Sequence, residues 1–110
     1  MLQIQANACA FAAILGDGSV VTWGDGYCGG DSSAVQEQLD NVLEIQATNS
    51  AFAAILGDFS VVTWGDADRG ANGPRVLQNV ADIQSTGAAF AAIRFDGSVV
   101  TWGEDRKSVV

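Results

Sequence analysis

One stretch of sixteen residues occurs three times and limits what this chain can fold into. In its middle copy it reads Ala51-Phe52-Ala53-Ala54-Ile55-Leu56-Gly57-Asp58-Phe59-Ser60-Val61-Val62-Thr63-Trp64-Gly65-Asp66. The first copy runs from Ala10 to Asp25. The third runs from Ala89 to Glu104, with Arg94 and Phe95 in place of the Leu-Gly pair. The tryptophans Trp23, Trp64 and Trp102 are therefore spaced by 41 and then 38 residues (64 − 23 and 102 − 64). Self-similarity at 20–50 residues marks a solenoid, a propeller or an array of stacked units.

Each unit opens on a short apolar lead: Ile4-Gln5-Ala6, Ile45-Gln46-Ala47, Ile83-Gln84-Ser85. After a polar step comes Phe-Ala-Ala-Ile-Leu or its variant. In the first copy its two faces are Phe11/Ala13/Leu15 and Ala12/Ile14, both apolar. A strand apolar on both faces is buried on both. The run is too short for a helix before Gly16-Asp17-Gly18-Ser19 interrupts it. Asp-Gly between apolar runs signals a hairpin, because glycine accepts positive φ without a Cβ clash. The second copy has Asp58-Phe59 there, and a bulky residue at that position is expected to force another turn type or strain the hairpin. The return run Val20-Val21-Thr22-Trp23 is β-branched and aromatic, as strands favour.

The tracts between copies are Gly-rich. Leu39/Asn41/Val42 match Leu77/Asn79/Val80, so the shorter second period is a deletion inside the loop. Short strands are expected near Asn41–Ile45 and Asn79–Ile83. The expected units are about 1–41, 42–79 and 80–110, the last incomplete, forming a single repeat array over 1–110. Three or four short strands per unit, apolar on both faces, describe propeller blades. The fold class is all-β, about two and a half blades of a propeller.

The pattern Ile-x-Ala, apolar strand, Asp17-Gly18-Ser19-Val20-Val21-Thr22-Trp23-Gly24 and Gly-rich tract resembles the repeat of the regulator of chromosome condensation family. The resemblance covers nearly the whole chain. It implies part of a seven-bladed propeller. Members of the family act as guanine-nucleotide exchange factors on small GTPases, as chromatin-associated proteins, or as substrate-binding regions of HECT-type ubiquitin ligases. The resemblance thus implies a non-catalytic protein-interaction module. This chain departs from the family in its short repeat and in having no His, which the family often carries just before the strand matching Phe11–Leu15. The family's Gly-Gln-Leu-Gly-like element is represented only by Gly29-Gly30-Asp31 and Gly70-Ala71-Asn72-Gly73. WD-type blades would show Trp-Asp, whereas each Trp here precedes Gly.

A closed propeller needs at least about four blades. The chain is therefore expected to be a fragment, to assemble with copies of itself, or to persist as an open array with apolar faces exposed.

Charge and residue content exclude several functions. The net charge is −8, and residues 1–68 hold nine acidic side chains with no Lys or Arg. Such a surface repels phosphate and disfavours direct nucleic-acid binding. It suits a basic partner surface, and it also keeps an apolar repeat soluble. Without His there is no Ser-His or Cys-His nucleophile, and two cysteines do not make a zinc site. Cys9 and Cys28 fall at unrelated repeat positions and read as incidental thiols of a reducing, cytoplasmic or nuclear compartment. The apolar start lacks the basic n-region of a signal peptide and recurs inside the chain. No run reaches the length of a membrane-spanning helix, so no membrane partner is expected.

Carboxylates remain. Asp17, Asp58 and Asp96 are equivalent turn positions, and Asp25, Asp66 and Glu104 are equivalent positions after Trp-Gly. They could form a rim for a cation or a basic partner. The commoner role of such aspartates is to hydrogen-bond their own turn. Asp66, Asp68 and Asn72 alternate like calcium ligands, but Leu77 stands where the bidentate Glu belongs and Ala71 where the loop Gly belongs. A calcium-binding repeat is thus the weaker alternative, and no cofactor is expected. Trp23, Trp64 and Trp102, with Gly24, Gly65 and Gly103 behind them, read as packing anchors before they read as a ligand platform.

Overall fold

The computed structural model describes residues 3–66 and 77–103. They form three antiparallel sheets of three strands each, and no α-helix. The first sheet comprises β1 (Gln3–Ala6), β2 (Ala10–Ile14) and β3 (Val20–Gly24). The second comprises β4 (Val42–Ala47), β5 (Ala51–Leu56) and β6 (Val61–Gly65). The third comprises β7 (Val80–Ser85), β8 (Ala89–Arg94) and β9 (Val99–Gly103). Each sheet is a meander in sequence order. The apolar lead of each unit is thus one edge strand, the Phe-Ala-Ala-Ile run the middle strand, and the Val-Val-Thr-Trp run the other edge.

The registers repeat. Phe11 pairs with Trp23, Phe52 with Trp64 and Phe90 with Trp102. These rings lie together on one face with centroids 5.4, 5.5 and 5.6 Å apart. The opposite face carries Ala10, Ala12 and Ile14 and their counterparts. The core consists of contacts between sheets. The Ala10/Ala12/Ile14 face of the first sheet packs on Phe52, Ala54, Val62 and Trp64 of the second. The Ala51/Ala53/Ile55 face of the second packs on Phe90, Ala92 and Trp102 of the third. Two-faced burial, expected from the sequence, therefore holds for Ala51 to Ile55 of β5, which has neighbours on both sides.

Trp is followed by Gly for a steric reason. Gly24, Gly65 and Gly103 have φ of 109°, 115° and 133°. A Cβ there would lie 2.7, 2.8 and 2.5 Å from the Cα of Ala10, Ala51 and Ala89 across the strand pair. Both the dihedral and the close approach exclude a side chain.

All three hairpins use one turn. The N–H of Gly18, Phe59 and Gly97 donates to the carbonyl of Leu15, Leu56 and Arg94 at 3.0, 2.8 and 2.9 Å. Phe59 does not change the turn type, against the first of the two expectations. It adopts φ 65°, beside 86° and 88° for Gly18 and Gly97. A left-handed L-residue costs about 1–2 kcal/mol. Phe59 offsets part of this by meeting Phe95 edge-to-face at 5.1 Å.

The cysteines correct the sequence reading. Cys9 and Cys28 are joined in a disulfide, with Cα atoms 6.0 Å apart. They are unrelated in the repeat but adjacent in space. The Asp25 N–H donates to the Cys9 carbonyl at 2.8 Å, and a 3₁₀ turn over Gly26–Cys28 brings the chain back beside the start of β2. Asn7 fastens the same corner, its Nδ2 donating to the Cys28 carbonyl at 2.7 Å. The pair is not incidental, and the thiol argument for a reducing compartment falls with it.

Two outcomes are expected from this packing. Gly65→Ala should destabilise the fold by about 3 kcal/mol through left-handed strain and overlap with Ala51, read as a drop in the urea midpoint. Reduction should cost about 3 kcal/mol, since the bond closes a loop of 19 residues. That loss should be absent from a Cys9→Ala/Cys28→Ala variant compared with and without reductant.

Candidate functional site

The stacked sheets have two rims. One carries the three hairpin turns. Neighbouring turns are tied together: the Val42 N–H donates to the Gly18 carbonyl at 2.9 Å and the Val80 N–H to the Phe59 carbonyl at 3.0 Å. Asn41 sits between the first two turns, its backbone against Gly18 and its side chain against Gly57. Asn41 and Asn79 take φ of 58° and 61° to make these joints, a region that asparagine tolerates. Asp17, Asp58 and Asp96 consequently share this rim.

Each of these aspartates has local work. Asp17 Oδ1 accepts from the Ser19 N–H at 3.0 Å and from the Ser19 hydroxyl at 2.6 Å. Asp58 does the same with Ser60, and Asp96 with Ser98. The serine hydroxyl first, and the serine backbone N–H second, hold all three carboxyls below the ordinary value of 3.8. Asp31 is lowered in the same way by Ser33. These groups are fully exposed and ionised at neutral pH, so the hydrogen bonds that fix the turns leave negative charge facing solvent.

The other rim carries the polar steps and the exits from β3 and β6. Here the Ala8 N–H donates to the Asn49 carbonyl at 3.1 Å, and the Asn49 N–H to the Gly87 carbonyl at 2.9 Å. Asp25 accepts from the Tyr27 N–H at 2.9 Å and caps the 3₁₀ turn. Asp66 receives the Ser50 hydroxyl at 3.5 Å. Asp68, Asn72 and Glu104 lie outside the described residues, so of the calcium-like run only Asp66 is placed. A grouping of Cys9, Asp25 and Cys28 has metal-ligand character, but its two sulfurs are bonded to each other.

The tryptophans divide. Trp64 is buried, and its Nε1 donates to the Gly29 carbonyl at 3.1 Å. Trp102 is also buried, whereas Trp23 is half exposed and stacked on Phe11. An open groove of about 480 Å³ runs between β3 and the loop after it, lined by Val21, Asp31, Ser33 and Gln36 among others. Its polar groups serve each other. Ser32 donates to Gln36 Oε1 at 2.6 Å, Gln36 Nε2 to the Val20 carbonyl at 2.9 Å, and Thr22 Oγ1 to the Gly30 carbonyl at 3.1 Å. Sequence reading missed this network, because Ser32 and Gln36 belong to the tract that does not repeat.

Known structures share this architecture. Human WBSCR16 matches with a TM-score of 0.68 and 19% identity, over 93% of this chain and 34% of that one. Prp20p from Saccharomyces cerevisiae, described with its binding properties to Gsp1p and histones, matches at 0.66 and 16%, over 93% and 30%. Yeast RCC1 (Prp20) bound by Kap60 is the subject of a third structure, matching at 0.64 and 15%, over 93% and 29%. The fold is that of RCC1-like propeller blades. The resemblance seen in the Trp-Gly repeat is thus matched in three dimensions. The chain spans about a third of the length of these RCC1-like chains. No protein-family model and no curated protein sequence matches it. Among the described residues, no helix is long and apolar enough to cross a membrane.

The lowered carboxyls carry a pH signature. In the folded state they release protons at lower pH than in the unfolded chain, so their contribution is complete above the ordinary value of 3.8. It disappears as pH falls through the lower folded values. Carbon-detected NMR titration should place Asp17, Asp58 and Asp96 below 3.8, and Ser19→Ala, Ser60→Ala and Ser98→Ala should each raise the paired aspartate toward it. Unmoved aspartates would refute the assignment.

Proposed function

We propose that this chain is a non-catalytic protein-interaction module, a segment of an RCC1-like propeller whose acidic rim takes a basic protein surface. The observation that carries the reading is electrostatic. Asp17 and Asp58 are held ionised on one rim, and residues 3–66 contain no Lys or Arg to neutralise them. A single-signed surface steers an oppositely charged partner and repels a phosphate backbone. The same surface therefore argues against direct nucleic-acid contact.

The fold supports the partner class. Prp20p is described with Gsp1p and histones as its binding partners, and histones are strongly basic. A small GTPase is the partner class that the resemblance implies if the parent is an exchange factor, and a ligase substrate is the one it implies if the propeller is the substrate-binding region of a ubiquitin ligase. The units about 1–41, 42–79 and 80–110 are proposed as its blades. A cytoplasmic or nuclear setting is supported by the histone-binding neighbour and opposed by the Cys9–Cys28 bond.

The test is a titration of the 110-residue chain with purified core histones, followed by fluorescence anisotropy at several salt concentrations. Binding should weaken steeply with salt, and an Asp17→Asn/Asp58→Asn/Asp96→Asn variant should bind about tenfold or more weakly, since several charge contacts are lost together. Equal binding by that variant would sink the acidic-rim reading.

A further inference from the structure

The two ends of the stack are the two halves of one interface. Inside the chain that interface is made twice. In each case the Phe/Trp face of one sheet lies on the Ala-Ala-Ile face of the sheet before it. Among the described residues, no sheet lies on the Phe/Trp face of the first sheet. Trp23 there is 44% exposed, against 5% for Trp64 and 6% for Trp102. Ile4 is 50% exposed, against 1% for both Ile45 and Ile83. The third sheet is open on its opposite face, where Ile93 is 50% exposed, against 1% for Ile14 and 4% for Ile55.

The polar joints end at the same places. Gly18 in the first turn is packed against the backbone of Asn41, which leads into β4, while a Cβ on Gly97 in the third turn would meet nothing within 4 Å. On the other rim the Ala8 to Asn49 to Gly87 series of hydrogen bonds stops at Gly87 among the described residues.

We propose that a second copy of this chain docks head to tail on these ends, its Phe11/Trp23 face seated on the Ala89/Ala91/Ile93 face of the first. The occupant follows from identity of parts. Ala-Phe-Ala-Ala-Ile stands at 10–14, 51–55 and 89–93 alike, and Val-Val-Thr-Trp-Gly at 20–24, 61–65 and 99–103. A copy therefore presents a mate already matched in shape to the exposed end, as the two internal interfaces are. The contact is heterologous, so it builds a closed ring or an open filament, not a two-fold dimer. The exposed aromatic and aliphatic groups at each end are those whose internal counterparts are buried, so docking removes from water the same kinds of groups that the internal interfaces remove.

Light scattering of the full chain over a concentration range is the first readout. Assemblies heavier than the 11.4 kDa monomer are expected. Trp23→Arg blocks the head and Ala91→Arg blocks the tail. Each variant alone should stay monomeric with an unchanged circular dichroism spectrum. Mixed one to one, they should form a complex of two chains, because one intact head and one intact tail remain. Phe11→Glu and Ile93→Glu provide an independent pair if either arginine variant fails to fold. A folded wild-type monomer would overturn the proposal and leave the ends to blades of a longer chain. An unfolded wild-type chain, self-association by a blocked variant, or no complex on mixing would overturn it equally.

Discussion

Everything in this structure depends on an aromatic pair lying on a surface of alanines. A Phe and a Trp on neighbouring strands make one broad apolar plate, as Phe52 and Trp64 do. Ala10, Ala12 and Ile14 of the preceding sheet make the floor it rests on. Methyl side chains let the sheets approach closely, and the rings fill the space that the alanines leave. This bulky-on-small arrangement gives close packing without large residues on both sides. It also makes each sheet polar in the structural sense, with a bulky face and a small face. A single sheet buries neither face, so sheets persist only as a stack.

The plate imposes constraints on the backbone. The Trp strand must run close to the Phe strand at its end, and there the chain admits only glycine: Gly24, Gly65 and Gly103. The chain then turns out toward the rim. In the first unit it folds back so tightly that Gly29 and Gly30 are also needed. A Cβ on Gly29 would strike the Phe52 ring at 2.5 Å, and one on Gly30 would strike the Gly24 backbone at 2.5 Å. The same return places Cys28 beside Cys9 and aims the Gly29 carbonyl at the Trp64 indole. The disulfide and the buried Trp64 hydrogen bond therefore stabilise a single corner between the first and second sheets.

Rim chemistry follows from the turns. Tight hairpins need an acceptor for the N–H two residues on, and aspartate supplies it while keeping its charge. The acidic rim is thus a by-product of turn formation that becomes available to a partner. This explains how the carboxylates can be structural in every copy and still define the electrostatic character of the surface. The absence of Lys and Arg from residues 3–66 leaves that character unopposed.

The repeat itself determined the strands and the hairpins between them, because each depends on residues within about sixteen positions of one another. Alternating faces and Gly after Trp were legible for the same reason. Tertiary structure alone decided what depends on unlike parts of different units meeting. The Cys9–Cys28 bond joins two positions that the repeat does not relate, so spacing argued against it. Phe59 keeps a glycine's turn, and Phe95, thirty-six positions on (95 − 59), stands beside it and offsets part of the cost. Trp23 and Trp64 occupy the same place in the repeat, yet one is exposed and the other buried. Local sequence cannot distinguish them, since the difference lies only in whether another sheet covers that face.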